Sequence, residues 1–238
     1  RKVGEGLNKK RDTDKYDIYY QHIILWDDKD LEIVGSYRIG NSDFIFKNIG
    51  VKGFYSNTLF KFHEEFTPYL KNSIELGRSF VQPKYWGTRA LDYLWYGIGA
   101  YLKNNPQIKY MFGPVSMSAS FPKTAKDMMT YYYTHYYSHK QNLVRSRLPY
   151  VYSNKFDEIK STFNNLDKKE DFRLLKSSLQ NMNCSVPTLY KQYSDIADEN
   201  GVFFCDFNVD TNFSDCIDGF ILVEVDKIKD SAKKRYIS

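Results

Sequence analysis

The stretch SIELGRSFV, residues 73–81, combines an apolar strand pattern with two charged side chains that could do chemistry. In a regular strand, Arg78 would share a face with the apolar residues and Glu75 would lie on the other face. A bulge at Gly77 inserts one residue and brings Glu75 and Arg78 to the same side. It also frees backbone N–H groups, which can stabilise the oxyanion of an attacked carbonyl. On residue types alone, a surface ion pair on an edge strand is the more common explanation.

The turn that follows, QPKYWGTRAL, favours an anion site. Gly87 and Thr88 come directly before an amphipathic helix, so backbone N–H groups and the positive end of the helix dipole would meet there. Lys84 and Arg89 add positive charge. A glycine in such a turn is a weak motif by itself. Joined to a bulged strand, it predicts a site for the phosphate of a pantetheine arm, with a thioester lying along the strand.

The elements that must position these residues follow from hydrophobic periodicity and turn residues. Strands are predicted over residues 16–26 and 31–39, paired as a hairpin, and over 73–81, 107–115, 201–207 and 217–225. Helices are predicted over residues 88–103, 124–137 and 186–199, near 169–181, and over 58–70 with an end near Pro68; residues 41–57 read as irregular. This order predicts a mixed α/β sheet with crossover helices.

Composition narrows the class of protein. The chain has 238 residues, 42% of them hydrophobic and 17% aromatic, which is typical of a globular domain with a large core. It begins with Arg, so it is expected to be a piece of a longer chain. The net charge of +5 is too weak to indicate nucleic-acid binding and would suit an acidic protein or an anionic membrane surface. No apolar run reaches the ~18–20 residues of a membrane span. The three cysteines form no CxxC pair and read as reduced cytosolic thiols.

The chain resembles the GNAT-fold N-acyltransferases, in particular the branch with ornithine-lipid and glycine-lipid N-acyltransferases that is often labelled hemolysin-like. It is more distantly similar to acyl-homoserine-lactone synthases. The similar stretches include DTDKYDIYYQHIILWD, IVGSYRIG, ELGRSFVQPKYWGTRALDYLWYGIGAYL and YMFGPVSMSASFP. The resemblance implies a GNAT-like, mixed, mostly antiparallel sheet with crossover helices on both faces, as a single domain over residues 1–238.

The resemblance also implies roles for particular residues. Glu75 would be the general base, directly or through water, and Arg78 would act beside it and hold carboxylates. The remaining acceptor-side residues would be Asp14, Asp17 and Arg38. Apart from the resemblance, Ser116 follows the end of the FGPV strand, where it could contact substrate or be an ordinary loop hydroxyl. The donor's phosphopantetheine would be bound by Lys84, Gly87, Thr88 and Arg89.

The expected donor is an acyl chain on acyl carrier protein. GNAT turns usually carry a second glycine or alanine at the position of Arg89, so ordinary acetyl-CoA recognition is disfavoured and acyl-CoA is the less expected donor. No tightly bound cofactor, no metal and no nucleic-acid partner is expected. The acceptor would be the amine of a small amino acid. The product would be an N-acyl amino acid or an aminolipid precursor, made in the cytoplasm with peripheral contact to the inner membrane surface.

Several alternatives stay open at this level. The protein could be a signal-molecule synthase, or a non-catalytic hemolysin-like module that binds membranes. The tyrosine-rich segment MMTYYYTHYYSHK fits either an acyl groove or an aromatic helix packed on the sheet. His22 fits packing or an active-site role. His135 and His139 are spaced as metal ligands can be, but they lack a partner pattern.

Overall fold

The computed structural model describes residues 13–237 and is built on a six-stranded mixed sheet. The strand order is β1-β2-β4-β5-β8-β7, and a separate two-stranded sheet pairs β3 with β6. Only β4 and β5 run parallel among the paired strands; the other neighbours are antiparallel. The strands are β1 (Gln21–Asp27), β2 (Glu32–Asn41), β3 (Phe60–Phe62), β4 (Ser73–Val81), β5 (Tyr110–Met117), β6 (Val144–Ser146), β7 (Val202–Asp210) and β8 (Cys216–Glu224).

Helices cover both faces of the sheet. In chain order they are α1 (Ser42–Asn48), α2 (Thr67–Leu70), α3 (Ala90–Asn104), α4 (Lys123–Tyr137), α5 (Phe156–Ser161), α6 (Lys168–Asn181), α7 (Thr188–Ile196) and α8 (Asp230–Tyr236). The long helices bury their apolar stripes on one face, together with Ile74, Leu76 and Met111. The other face packs on α1, α2 and the β3–β6 ribbon through a cluster of aromatic rings that includes Phe112 and Phe220. This architecture confirms the predicted fold class.

Helix α3 is the crossover that joins the parallel strands β4 and β5, as parallel pairing requires. The stripe predicted from its sequence is buried: Leu94, Trp95, Ile98 and Leu102 are each at most 5% exposed. The register of the sheet puts Glu75 opposite Gly40 and Arg38 opposite Gly77. Glu75 and Arg38 therefore lie on the face that carries the second core.

Three predictions on the elements are wrong. Residues 58–70 do not form one helix, because Phe60 and Phe62 bury their rings in the second core as a strand paired with β6. Pro68 lies in the first turn of α2, where its missing N–H costs nothing. The first predicted strand begins at Gln21, since a short 3-10 helix occupies Lys15–Ile18. The segment read as irregular contains α1, which Asn41 caps through Phe44 N–H.

The tyrosine-rich helix α4 packs on the sheet. Tyr133 is fully buried, and its ring centroid lies 4.4 Å from that of Phe204 on β7. Tyr132 and Tyr137 belong to the same buried cluster. These buried rings therefore support the interpretation of an aromatic helix packed on the sheet and not that of an acyl groove.

Across residues 13–237, each helix is too short or too polar to traverse a lipid bilayer.

Candidate active site

Strand β4 is bulged at the point where chemistry was predicted. Gly77 pairs with Arg38 and Phe80 pairs with Ser36, so two residues of β4 stand opposite Tyr37 alone. The irregularity falls one residue later than predicted: Arg78, not Gly77, has the left-handed backbone, with φ +46°. A non-glycine residue in this region costs about 1–2 kcal/mol, so the surrounding contacts must hold it there. The bulge places Arg78 within 3.4 Å of Asp14, on the same face as Glu75.

Glu75 is almost completely buried, with 1% exposure. Its Oε1 accepts the Ser56 N–H at 2.5 Å, and its Oε2 accepts the Tyr55 N–H at 3.1 Å. The Tyr20 hydroxyl donates to Oε2 as well. Burial raises the pKa of this carboxyl above its ordinary value, although these hydrogen bonds oppose the shift.

A charged cluster adjoins Glu75 on the same face. The Arg38 Nη1 donates to Asp14 Oδ1 and to Asp17 Oδ1, both at 2.9 Å. The two acids converge because Asp14 begins the 3-10 helix as its N-cap, while the Asp17 carboxylate accepts the Asp14 N–H at 2.8 Å. Burial opposes ionisation of Asp17, but the Asp14 N–H and the Arg38 guanidinium together lower its pKa. The acids and arginines predicted from the sequence thus form one connected cluster.

Tyrosine rings enclose the guanidinium of Arg38, which is 1% exposed. Its carbon lies 4.9 Å from the ring centroid of Tyr20, 5.5 Å from that of Tyr55 and 5.6 Å from that of Tyr16. Its Nε and Nη2 are buried without a hydrogen-bond partner in the part of the chain described. Cation–π contacts therefore replace hydrogen bonds on that side of the guanidinium.

Strands β4 and β5 diverge immediately beside this cluster. Their parallel pairing is confined to Ser73, Ile74 and Glu75, whereas β4 continues to Val81. The edge of β4 that faces β5 beyond Glu75 therefore lies outside the ladder between these two strands. A Cβ built at Gly77 would meet nothing within 4 Å, so space is open on the face of the sheet to which this Cβ would point. Opposite it lies an apolar pocket lined by residues that include Leu76, Gly113, Pro114 and Tyr193.

Gly113 sets the point of divergence. A Cβ at this position would lie 2.0 Å from the Leu76 carbonyl oxygen, which is backbone and cannot rotate away. We expect Gly113→Ala to lower the free energy of unfolding by about 2 kcal/mol, the middle of the range for overpacked sites. Chemical denaturation measures it. Gly77→Ala, at a glycine where a Cβ would meet nothing within 4 Å and whose φ is not positive, is the control for loss of a glycine. Equal stability of wild type and Gly113→Ala would contradict the close approach.

The structure also places two further candidates from the sequence, Ser116 and His22. Ser116 is on β5 and donates its hydroxyl to Asp218 of β8, a buried acid. His22, on β1, has its Nε2 3.5 Å from Asp17 Oδ1 and is about one-third exposed, so it lies at the rim of the charged cluster and not in the core.

The predicted donor turn, residues 82–91, leads from β4 into α3, and both of its predicted cations form ion pairs. Gly87 has φ +76°, which a glycine adopts without strain, and no side chain of the N-cap residue caps α3. The Thr88 hydroxyl accepts the Ala90 N–H and donates to the Tyr85 carbonyl. Lys84 forms ion pairs with Asp30 and Glu32. Arg89 pairs with Asp92 at 3.2 Å.

Sequence reasoning missed the residues that hold Glu75. Tyr20, Tyr55 and Ser56 come from two segments far from β4 in sequence, and two of them contribute backbone N–H groups, which any residue type carries. Tyr55 and Ser56 lie in GFYSNTLF, a stretch that also resembles the N-acyltransferase family, and this resemblance is the signal that could have found them. Within residues 13–237, no group of three or more His, Cys, Asp or Glu side chains is placed to hold a metal ion.

Residues 1–96 match the family model of the acetyltransferase (GNAT) domain. The bulged β4, the α3 crossover and the divergence from β5 fall within or beside this range. No solved structure gives a significant match.

Curated relatives extend the match to the whole chain. It is 30% identical to a glycine N(alpha)-acyltransferase of Bacteroides thetaiotaomicron, covering all of this chain and 73% of that protein. It is 29% identical to a glycine N(alpha)-acyltransferase of Phocaeicola vulgatus, covering 76% of that protein. It is 36% identical to an L-ornithine N(alpha)-acyltransferase of Rhizobium meliloti, over 50% of this chain and 41% of that protein. The chain therefore belongs to the GNAT family and is an acyltransferase, which confirms the resemblance.

Proposed function

We propose that this protein transfers a fatty acyl chain from the thioester of acyl carrier protein to the α-amine of a small amino acid. The observation that carries the proposal is the bulge of β4, at the point where β4 has separated from β5, beside the buried Glu75 carboxylate. Such a bulge offers N–H donors to a carbonyl, and the carboxylate supplies a base on the adjoining face.

The acceptor is proposed from the relatives. Those aligned with the whole chain are named for glycine, whereas those named for ornithine align over about half of it. We therefore propose glycine as the preferred amine, with N-acylglycine as the product and as the precursor of an aminolipid.

The proposed reaction is direct aminolysis without a covalent enzyme intermediate. The neutral amine attacks the thioester carbonyl, a C–N bond forms, and the carbonyl oxygen takes negative charge that backbone N–H groups of β4 stabilise. The C–S bond then breaks, and the carrier's thiolate leaves and is protonated. The proton lost by the nitrogen passes to Glu75 and from there to solvent, and solvent supplies the proton that the thiolate takes up.

Burial decides how Glu75 could act as base. The carboxylate is 1% exposed, and donors from Tyr20, Tyr55 and Ser56 already orient it, so the proton would reach it through one ordered water. The raised pKa brings the carboxyl closer to neutral pH, where a general base is most effective. General-base help of this type is worth about 10²–10⁴-fold in rate.

The proposed carrier donor rests on charge and on the turn. The chain has a net charge of +5, and Arg89 stands where a small residue would suit a compact coenzyme. We propose that Gly87, Thr88 and Arg89 bind the phosphate of the arm at the start of α3. Lys84 contributes less, since two carboxylates already neutralise it. Contact with the inner membrane surface, where the product would partition, belongs to the same proposal.

The test combines purified protein with acyl-loaded carrier protein and, separately, glycine, ornithine, serine and alanine. Thiol release and the mass of the amide product are measured together. We expect thiol release that depends on the amine, with the highest kcat/KM for glycine. Thiol release without amide, or none with any amine, would contradict the proposal.

The difference between the two cations of the turn gives a further prediction. We expect Arg89→Ala to raise the KM for the acyl donor about fivefold or more, as lost contacts of a charged group with an anion do. Lys84→Ala, the matched control in the same turn, should change the KM less than twofold. Steady-state kinetics with a donor titration measures both. Equal changes of the donor KM in Arg89→Ala and Lys84→Ala would contradict the stronger role proposed for Arg89.

A further inference from the structure

The C-terminal helix α8 lies against α3 and reaches the first turn of that helix. The Tyr236 carbonyl carbon and oxygen lie so close to Gly99 that a Cβ there would be 1.8 Å from the oxygen. At the first turn of α3, Asp92 accepts Arg235 Nη2 at 2.7 Å and the Tyr236 hydroxyl at 2.7 Å. Arg89 donates to the same carboxylate at 3.2 Å. One acid thus fixes two arginines from different elements beside the donor turn.

This surface, made by Trp86, Arg89, Tyr93, Lys234 and Arg235, carries net positive charge and exposed aromatic rings. The side chains of Arg89 and Arg235 are 63% and 52% exposed, and Trp86 is 60% exposed. Burial opposes ionisation of Asp92, yet its hydrogen bonds with Arg235, Tyr236 and Arg89 lower its pKa. It therefore stays ionised at neutral pH, and its single charge offsets only one of the two guanidinium groups.

Stacking holds the arginines in place while they face solvent. The Arg89 guanidinium lies 5.2 Å from the ring centroid of Tyr93, and that of Arg235 lies 5.3 Å from the ring centroid of Tyr236. The Tyr96 ring, 6.3 Å from Tyr93 and 5.3 Å from Tyr236, connects the two. Pre-oriented arginine and exposed aromatic side chains are the residue types enriched in protein–protein interfaces.

We propose that this α3–α8 surface docks the carrier protein of the acyl donor through acidic side chains of the carrier, with Arg235 as a contact that no sequence motif indicates. The proposal rests on the proposed function, because it needs a donor that is a protein. Two observations favour a carboxylate-bearing protein as the occupant. Planar guanidinium groups match carboxylates bidentately, and the surface adjoins the turn where the arm would enter.

A lipid surface fits this patch less well. A bilayer takes up a continuous apolar face of aliphatic and aromatic side chains that Lys or Arg residues flank. A segment of that kind lies elsewhere, on and after α1, where Phe44, Phe46, Ile49 and Val51 are each at least 40% exposed. The α3–α8 surface instead presents fixed arginines and rings with polar tips.

The experiment compares three donors with the same acyl chain: acyl-pantetheine, acyl-phosphopantetheine and acyl carrier protein. The variant is Arg235→Ala, and the matched control is Lys103→Ala, an exposed cation in the last turn of α3, about 16 Å along the helix from the Asp92 that binds Arg235. For Arg235→Ala we expect a three- to tenfold higher KM with acyl carrier protein and a weaker dependence of that KM on salt. We expect less than a twofold change in kcat with either small donor.

Each other outcome overturns a distinct claim. An equal rise in KM with acyl-phosphopantetheine would show that Arg235 binds the arm's phosphate and not the carrier. An unchanged KM with all three donors, or loss of binding to anionic phosphatidylglycerol vesicles alone, would overturn the docking surface. Loss of activity with acyl-pantetheine would show that Arg235→Ala damages the fold. In that case Arg235→Lys, which keeps the charge, is the test variant. It has to restore activity with acyl-pantetheine and still show a higher KM with acyl carrier protein than wild type. Failure of the wild type with every donor would instead refute the proposed function.

Discussion

Replacing Glu75 by Gln is expected to lower kcat by about 10²–10⁴-fold, because the amide cannot accept the proton of the attacking amine. The KM for the donor should change little, since the donor turn lies at the far end of β4. Single-turnover formation of the amide product measures the effect directly. A rate within threefold of wild type would remove Glu75 from the role of base.

The pH profile separates this role from a purely structural one. Burial raises the pKa of Glu75 above its ordinary value of 4.5, so the wild-type rate should rise as pH passes through that raised pKa. The rate should rise further as the amine loses its proton. In Glu75→Gln the rise at lower pH (the lower limb of the profile) should vanish, while the rise due to deprotonation of the amine stays. A profile of unchanged shape would show that another group is the base.

Stability must be controlled, because the substituted amide would face the N–H groups of Tyr55 and Ser56. An N–H donor opposite another donor costs about 1–3 kcal/mol. Tyr20→Phe is the matched control: it removes one hydrogen bond to Glu75 but keeps the carboxylate and both backbone donors. We expect it to lose less than tenfold in rate and to keep the lower pH limb.

Replacing Arg38 by Met is expected to lower the free energy of unfolding by about 3 kcal/mol. Removing one partner of a buried ion pair costs about 3–5 kcal/mol, and we take the lower end because Asp14 and Asp17 are 22% and 25% exposed. The substitution leaves two carboxylates that share a hydrogen-bonded turn without the cation between them. Chemical denaturation at pH 7 measures the loss.

The same loss should depend on pH in a defined direction. The folded-state pKa of Asp17 is lowered, so its pairing with Arg38 stabilises the fold above the ordinary value of 3.8 and is lost as pH falls through the folded pKa. The difference between wild type and Arg38→Met should therefore shrink on acidification below about pH 4. A difference that is constant from pH 7 to pH 3 would show that packing, and not charge, is what the substitution removes. Tyr16→Leu, which removes one ring beside Arg38 and keeps the cation and both acids, controls for the aromatic contacts.

Much of the site could be predicted because local chemistry determines it. Glu75 and Arg78 are three positions apart, so a strand can keep both charges on one face only if a bulge adds a residue. The structure places this bulge one position later than predicted. The buried stripe of α3 follows from its hydrophobic periodicity. The turn at Gly87 follows from the backbone freedom of glycine. The acids before β1 required the family resemblance, although a capping box explains afterwards why Asp14 and Asp17 converge.

The rest depends on contacts between distant segments. The buried state of Glu75 is created by Tyr20 and by the backbone of Tyr55 and Ser56, and no pattern in β4 indicates it. Lys84 is neutralised by Asp30, in the turn after β1, and by Glu32, at the start of β2. The sequence alone does not predict these long-range ion pairs. Residues 58–70 look helical in isolation, but the aromatic core selects a strand for Phe60–Phe62. In each case tertiary packing overrides the local pattern.

The most direct test of the central claim is a crystal structure with a non-hydrolysable acyl-pantetheine analogue, in which a methylene replaces the thioester sulfur. The account predicts that the arm lies between β4 and β5, with its carbonyl oxygen within about 3 Å of a backbone N–H from Gly77 to Val81. It also predicts that an ordered water joins Glu75 to the site of attack. An acyl carbonyl bound elsewhere, with β4 and β5 closed against it, would contradict the account.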